Sequence, residues 1–217
     1  KVRPESGWRH PCAKQTTAIN CHIPCIIINI LEAITMQTSH NTLKNIIFTG
    51  LFAAIIFIGI SLLRIPIPAM VGRPFIHFGN PLMVLAILFL GGRLGGLAAV
   101  IGLGGFDLLN GYAATSWLTA LEAIVMAIVV SALVKAFKHN DQPRNIIIIG
   151  ILAGLTKIVT SYLTGVVEAL MVGSVFKAAV VGAFLSLPAT VINSIATAII
   201  VPVLYFILRP LFRRFTN

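Results

Sequence analysis

From Leu43 to Leu208 the chain is a succession of apolar runs separated by short polar or Gly/Pro-containing breaks. In lipid every backbone amide must find its partner inside the segment, and an α-helix of about 20 predominantly apolar residues does this while crossing the bilayer. Six such spans are expected: Leu43–Leu63, Pro81–Gly92 extended back to about Phe75, Leu94–Leu109, Ser116–Phe137, Asn145–Val172 and Ala178–Leu208. Composition closes the alternative. Of 217 residues 58% are apolar and 10% charged, against roughly 45–50% and about 25% in a soluble domain. The fold class is therefore all-α, an integral membrane bundle of six transmembrane helices. The second span is short, and the third sits in a stretch where Gly91, Gly92, Gly95, Gly96, Gly102, Gly104 and Gly105 crowd into fifteen residues. Close packing of these two spans is expected, with a minimal turn at Arg93.

Sixteen Lys and Arg against six Asp and Glu give a net charge of +10. These charges are scattered between apolar runs and form no basic patch with interleaved aromatics, so nucleic acid is not expected as a partner. Loop charge sets orientation instead. Lys44, Arg93, Lys135, Lys138, Arg144, Arg209, Arg213 and Arg214 fall on one side; Arg64, Arg73 and Lys177 fall on the other. A multi-pass protein of the cell membrane with both termini cytoplasmic follows. The Pro-rich segment Arg64–Asn80 and the turns Asn110–Ser116 and Gly173–Lys177 then lie outside.

Residues 1–42 differ in texture and are expected to be an amino-terminal tail, either disordered or a leader upstream of a natural start at Met36. Residues 43–217 form the six-helix domain. Ile23–Ile34, interrupted by Pro24, Cys25, Asn29 and Glu32, is too short and too polar to span. All three cysteines, Cys12, Cys21 and Cys25, lie in the tail, so the membrane body has no disulfide framework. With His10 and His22 they could ligate zinc, but their spacing matches no common finger. No metal and no cofactor are expected.

Several chemistries lack their residues. Gly-Lys does not occur, which removes the P-loop. H-E-x-x-H and G-x-S-x-G are also missing. What remains is a small set of polar side chains inside apolar spans, which are costly there and usually face a cavity. Lys157, Thr160, Ser161, Thr164 and Glu168 make one stripe on the fifth span; Ser186, Thr190, Asn193 and Thr197 make another on the sixth. Thr115, Thr119 and Glu122 line a face of the fourth, with Trp117 near its outer end, and Asp107, Asn110 and Tyr112 close the third. Ser and Thr in such helices commonly bond the preceding turn. Lys157 and Glu168 stand about 16 Å apart along the axis, so each needs another partner. Asp107 and Glu122 are either partners for Lys157 or acceptors for a ligand. Tyr112 and Trp117 also suit an interfacial aromatic belt. On the first span, Gly50 and Ala54 form a small-x-x-x-small pair that lets another helix approach.

The segments Ile76-His-Phe-Gly-Asn80, Leu90-Gly-Gly-Arg-Leu-Gly-Gly96, Phe106-Asp-Leu-Leu-Asn-Gly-Tyr112 and Leu121-Glu-Ala123 resemble the substrate-binding S components of energy-coupling factor (ECF) transporters. The likeness is greatest to the hydroxymethylpyrimidine/pyridoxine type, within a broader group that includes riboflavin-type members. The resemblance implies capture of a small vitamin, with a transmembrane T component and two ATPase subunits as partners, and no enzymatic activity of its own. It also implies a lid after the first helix, a toppling movement for release, and docking of the T component at Gly50 and Ala54. Thr119 stands where many relatives carry Lys, and Asn193 where Gln is frequent.

A flat heteroaromatic in such a site would be held by stacking and a few directed hydrogen bonds. Trp117 and Tyr112 would supply the face, Asp107, Glu122 or Glu168 would accept, Lys157 and Asn193 would donate, and His77 and Asn80 would close the top. The competing reading from another class is a small intramembrane enzyme drawing acid and base from Asp107, Glu122, Lys157 and His77. A channel is disfavoured, because isolated charges of both signs suit a closed site better than a ring.

Overall fold

A computed structural model describes residues 22–62, 64–66 and 75–216, with side chains described from residue 42 onward, those of 213, 215 and 216 excepted. The expectations for residues 1–21, for the side chains of His22 and Cys25 and for Arg73 lie outside the described residues. The chain divides into two compact units, Lys1–Lys44 and Asn45–Asn217. In the first, the backbone is helical from His22 onward, including the segment 23–34 expected to belong to a tail.

The elements run α1 (His22–Leu62), β1 (Ile65–Pro66), β2 (Phe75–Ile76), α2 (Gly79–Leu109), α3 (Ser116–Ala136), α4 (Pro143–Met171), α5 (Phe176–Leu185) and α6 (Leu187–Thr216). Five helical stretches are long and apolar enough to cross a membrane: Thr42–Leu62, α2, α3, α4 and Leu187–Phe212; α5 is apolar but short. The protein is thus an integral membrane helical bundle.

Three boundaries differ from those expected. The second and third spans form one 31-residue element broken at Gly91, whose φ of 80° and ψ of 171° interrupt the helix. A left-handed φ costs an L-residue about 1–2 kcal/mol and glycine almost nothing. The break therefore falls at Gly91 and not at Arg93. A Cβ placed on Gly95 would stand 2.5 Å from the Ala86 carbonyl oxygen, a contact across nine positions that requires the chain to double back on itself.

The second boundary is Phe75, which begins no helix. Ile65 and Pro66 pair with Ile76 and Phe75 as a short antiparallel hairpin, and α2 starts only at Gly79. There the His77 Nδ1 accepts a hydrogen bond from the Gly79 amide (3.0 Å). The third is the last span, which is two helices meeting at Ser186. Pro188, which has no amide to donate, is the second residue of α6, where the amide would have no intrahelical partner. Ser186 closes α5 by bonding the Gly182 carbonyl through its hydroxyl (2.9 Å).

α4 packs along α6, and α2 along α3. Gly150 and Gly154, one turn apart, face the Ala198 and Ser194 backbone; Cβ atoms there would lie 3.3 Å and 2.9 Å from those carbonyl oxygens. Small residues at this spacing let two membrane helices approach backbone to backbone. The outward faces are continuous apolar ridges: Ile147, Ile151, Leu155, Val159 and Leu163 on α4, and Ile195, Ile199, Val203 and Ile207 on α6 are all exposed. Their four-residue steps keep one face toward lipid. At one end of the bundle Phe89 stacks on Phe212 (4.3 Å) and Tyr205 (5.1 Å), with Phe52 beside them. Phe89 lies nine residues, about 13 Å, beyond Asn80 along its helix. The apolar plug and the polar residues therefore occupy different depths.

Candidate functional site

A cavity of about 210 Å³ lies beneath β2, lined by residues of all six helices, α1 through Ile60 alone and α5 through Ala183 alone. Of the nine residues expected to bind substrate, eight line it: His77, Asn80, Asp107, Tyr112, Glu122, Lys157, Glu168 and Asn193. Trp117 does not. It is 47% exposed, while its neighbour Leu118 is buried at 6% and takes the cavity face. One residue turns a helix by about 100°, so only one of the two could point inward.

The ionic groups are arranged unequally. Lys157 on α4 forms a salt bridge to Glu122 Oε2 on α3. The other oxygen of Glu122 accepts from the Ser161 (3.2 Å) and Thr164 (3.1 Å) hydroxyls. Glu122 is thereby held by three side chains of the α4 stripe, and the partner that Lys157 required is on the neighbouring helix. Asp107, 7% exposed, forms no salt bridge among the described residues. Glu168, three residues before the end of α4 at Met171, lines the cavity without a hydrogen bond or ion pair to its carboxylate among the described residues.

Asn193 has a different role from the ligand donor expected of it. Its Nδ2 donates to the Phe75 carbonyl (2.9 Å), and its Oδ1 accepts from the His77 amide (3.0 Å). One amide from α6 thus bonds two main-chain groups on one edge of the segment Phe75–His77, in the manner of an added strand. The β2 segment brings Phe75 over the cavity, against Phe106 (5.8 Å) and Tyr112 (6.1 Å), with the Arg64 guanidinium 5.5 Å from the Phe75 and Phe106 ring centres. Phe75 is a lining residue that sequence reasoning missed. The only signal was an aromatic next to the His-Phe-Gly-Asn element.

His77, in the loop before α2, is partly buried. Burial first, and then the Lys157 charge, lower its pKa to about 3. It is therefore a neutral imidazole whose Nδ1 is free to accept the Gly79 amide. Asn80, 3% exposed, leaves its Nδ2 without a protein partner while lining the cavity. A buried amide in this condition is costly unless something else accepts from it. No three His, Cys, Asp or Glu side chains among the described residues converge as a metal site.

The arrangement is a small chamber with an aromatic roof, one donor left open and carboxylates along its wall, which suits binding of a compact polar molecule. No curated protein and no solved structure matches the chain. A family model described as "ECF-type riboflavin transporter, S component" matches residues 40–210. It meets the expected resemblance at the level of the ECF S component, while the hydroxymethylpyrimidine/pyridoxine type is not what it describes. The matched stretch contains every element around the cavity, and the chain belongs to this family of S components, the membrane subunits of ECF-type vitamin uptake systems.

Proposed function

We infer that the chain captures a flat, single-ring vitamin or vitamin precursor, hydroxymethylpyrimidine-like or pyridoxine-like, and presents it to a T component driven by two ATPase subunits. The observation that carries this reading is one small chamber beneath β2 into which four helices, α2, α3, α4 and α6, send polar groups. Its volume of about 210 Å³ is below the roughly 300–1,000 Å³ of ordinary ligand pockets and suits one ring better than three. Phe75 and Tyr112 supply aromatic faces, Asp107 and Glu168 accept, and Asn80 donates. Glu122 and Lys157 hold α3 to α4 behind them.

In this reading the two halves of α2 each cross the bilayer, giving six passes with both termini cytoplasmic, and the β1–β2 hairpin is the lid. Gly50 and Ala54 are exposed, and nothing lies within 4 Å of where a Gly50 Cβ would be. That supports a free face for the T component. The reading as an enzyme has less support, because Glu122 and Lys157 neutralise each other.

A second reading is riboflavin itself, favoured by the name of the matching family model. Mass spectrometry of the small molecule that copurifies with the detergent-solubilised protein separates the two. A single-ring heterocycle released chemically unchanged is expected; a flavin would establish the second reading, and a converted product would return the chain to the enzymes. Copurification of an ATPase pair with a membrane scaffold is the matching test for partners.

A further inference from the structure

The cavity wall carries three carboxylates, Asp107, Glu122 and Glu168, and one ammonium, Lys157. Lys157 is committed to Glu122. Asp107 and Glu168 form no salt bridge among the described residues, and both line the same space. Uncompensated carboxylates in an apolar bundle are unfavourable, and two facing the same space favour a cation arriving in it. A bare metal ion does not fit, since no metal-ligating cluster forms among the described residues. The second, independent feature is Asn80, 97% buried by its 3% exposure, whose Nδ2 is unpartnered and lines the same space. That donor needs an acceptor on a molecule whose other end satisfies carboxylates.

We propose that the cavity selects a cationic heterocycle: a protonated amine substituent faces Asp107 and Glu168 while a ring nitrogen or hydroxyl oxygen accepts from Asn80 Nδ2. This rests on the substrate-capture reading above and adds the ligand's charge to it. Neutral isosteres lose the charge-assisted hydrogen bonds, which are roughly twice as strong as neutral ones. Phosphorylated and other anionic forms meet repulsion.

Pyridoxamine and pyridoxine serve as a matched pair of probes, alike in ring and size and differing by an ammonium in place of a hydroxyl. Riboflavin is the large neutral probe. Calorimetric titration of the full, detergent-purified chain at neutral pH is expected to show pyridoxamine bound about tenfold or more tightly than pyridoxine. In the double variant Asp107→Asn, Glu168→Gln that preference should shrink to within about twofold, with size-exclusion chromatography checking that the variant folds. If it does not fold, the wild-type preference decides alone. Equal or tighter binding of pyridoxine or riboflavin, a preference that survives the double substitution, or binding of none of the three overturns the proposal. Tight riboflavin binding would remove only the cation and leave substrate capture standing. A chain that binds none of the three, retains no small molecule and copurifies with no ATPase pair would remove both.

Discussion

At Asn80 stability and binding are expected to part company. Its Nδ2 is buried without a partner, so Asn80→Ala removes an unsatisfied donor along with some packing and should change the melting temperature of the ligand-free protein little. Ligand affinity should fall about tenfold, the value of one buried hydrogen bond to a polar ligand; thermal shift and calorimetry on the same sample read both. Trp117→Ala should leave affinity unchanged, because the ring lies outside the cavity. Lys157→Met behaves in the opposite way. Removing one member of a largely buried ion pair, here 16% and 11% exposed, strands the other and costs about 3–5 kcal/mol. Adding Glu122→Gln to it should recover most of that loss.

His77 supplies the pH dependence. Its pKa is lowered from 6.5 to about 3, so between those values the unfolded chain binds a proton that the native chain does not. Its contribution to stability is complete above pH 6.5 and is lost as pH falls toward 3. His77→Gln keeps an acceptor for the Gly79 amide but does not titrate. The fall in melting temperature between pH 7 and pH 4 should therefore be shallower in the variant than in the wild type.

Among the elements, the hairpin over the cavity depends on Asn193, whose two hydrogen bonds reach backbone atoms 116 and 118 residues away. Asn193→Leu should loosen β2 and raise the ligand dissociation rate several-fold. Asn193→Asp keeps the acceptor for His77 but sets an oxygen against the Phe75 carbonyl, and should do the same. Stopped-flow release of a fluorescent or displaced ligand measures it; unchanged rates in both would mean that β2 is held by its aromatic contacts instead. Between α4 and α6, Gly154→Ala places a Cβ 2.9 Å from the Ser194 carbonyl oxygen. Helix separation is the expected response, at about 1–3 kcal/mol.

These elements also mark how far the residues could be read without coordinates. Asp107, Glu122, Lys157 and Glu168 stood out because a charge inside an apolar run has few reasons to exist. The break between the second and third spans was legible from its glycines but was placed at Arg93, two residues from Gly91, because hydropathy measures oil and not φ; the break at Ser186 was not legible. The part played by Asn193 was hidden for another reason: its partners are main-chain atoms, which look alike at every position. Phe75 was hidden because an aromatic in a loop beside apolar spans has many possible environments.

For the whole molecule, the exposed ridges on α4 and α6 need a lipid or detergent collar, and the scattered basic residues set the direction of insertion. With Cys12, Cys21 and Cys25 replaced by Ser, K177C should react with a membrane-impermeant maleimide on intact cells, and K138C only after permeabilisation. The reverse pattern would invert the orientation and move the hairpin to the cytoplasmic side.

The reversal at Gly91 has a consequence at the far end of the bundle. A straight helix would hold Asn80 and Asp107 about 40 Å apart, yet both line one chamber. An achiral residue that never meets the nutrient thus decides whether there is a receptacle for it. Shortening or lengthening the chain there by a single position would rotate one wall against the other and erase recognition without touching any group that performs it.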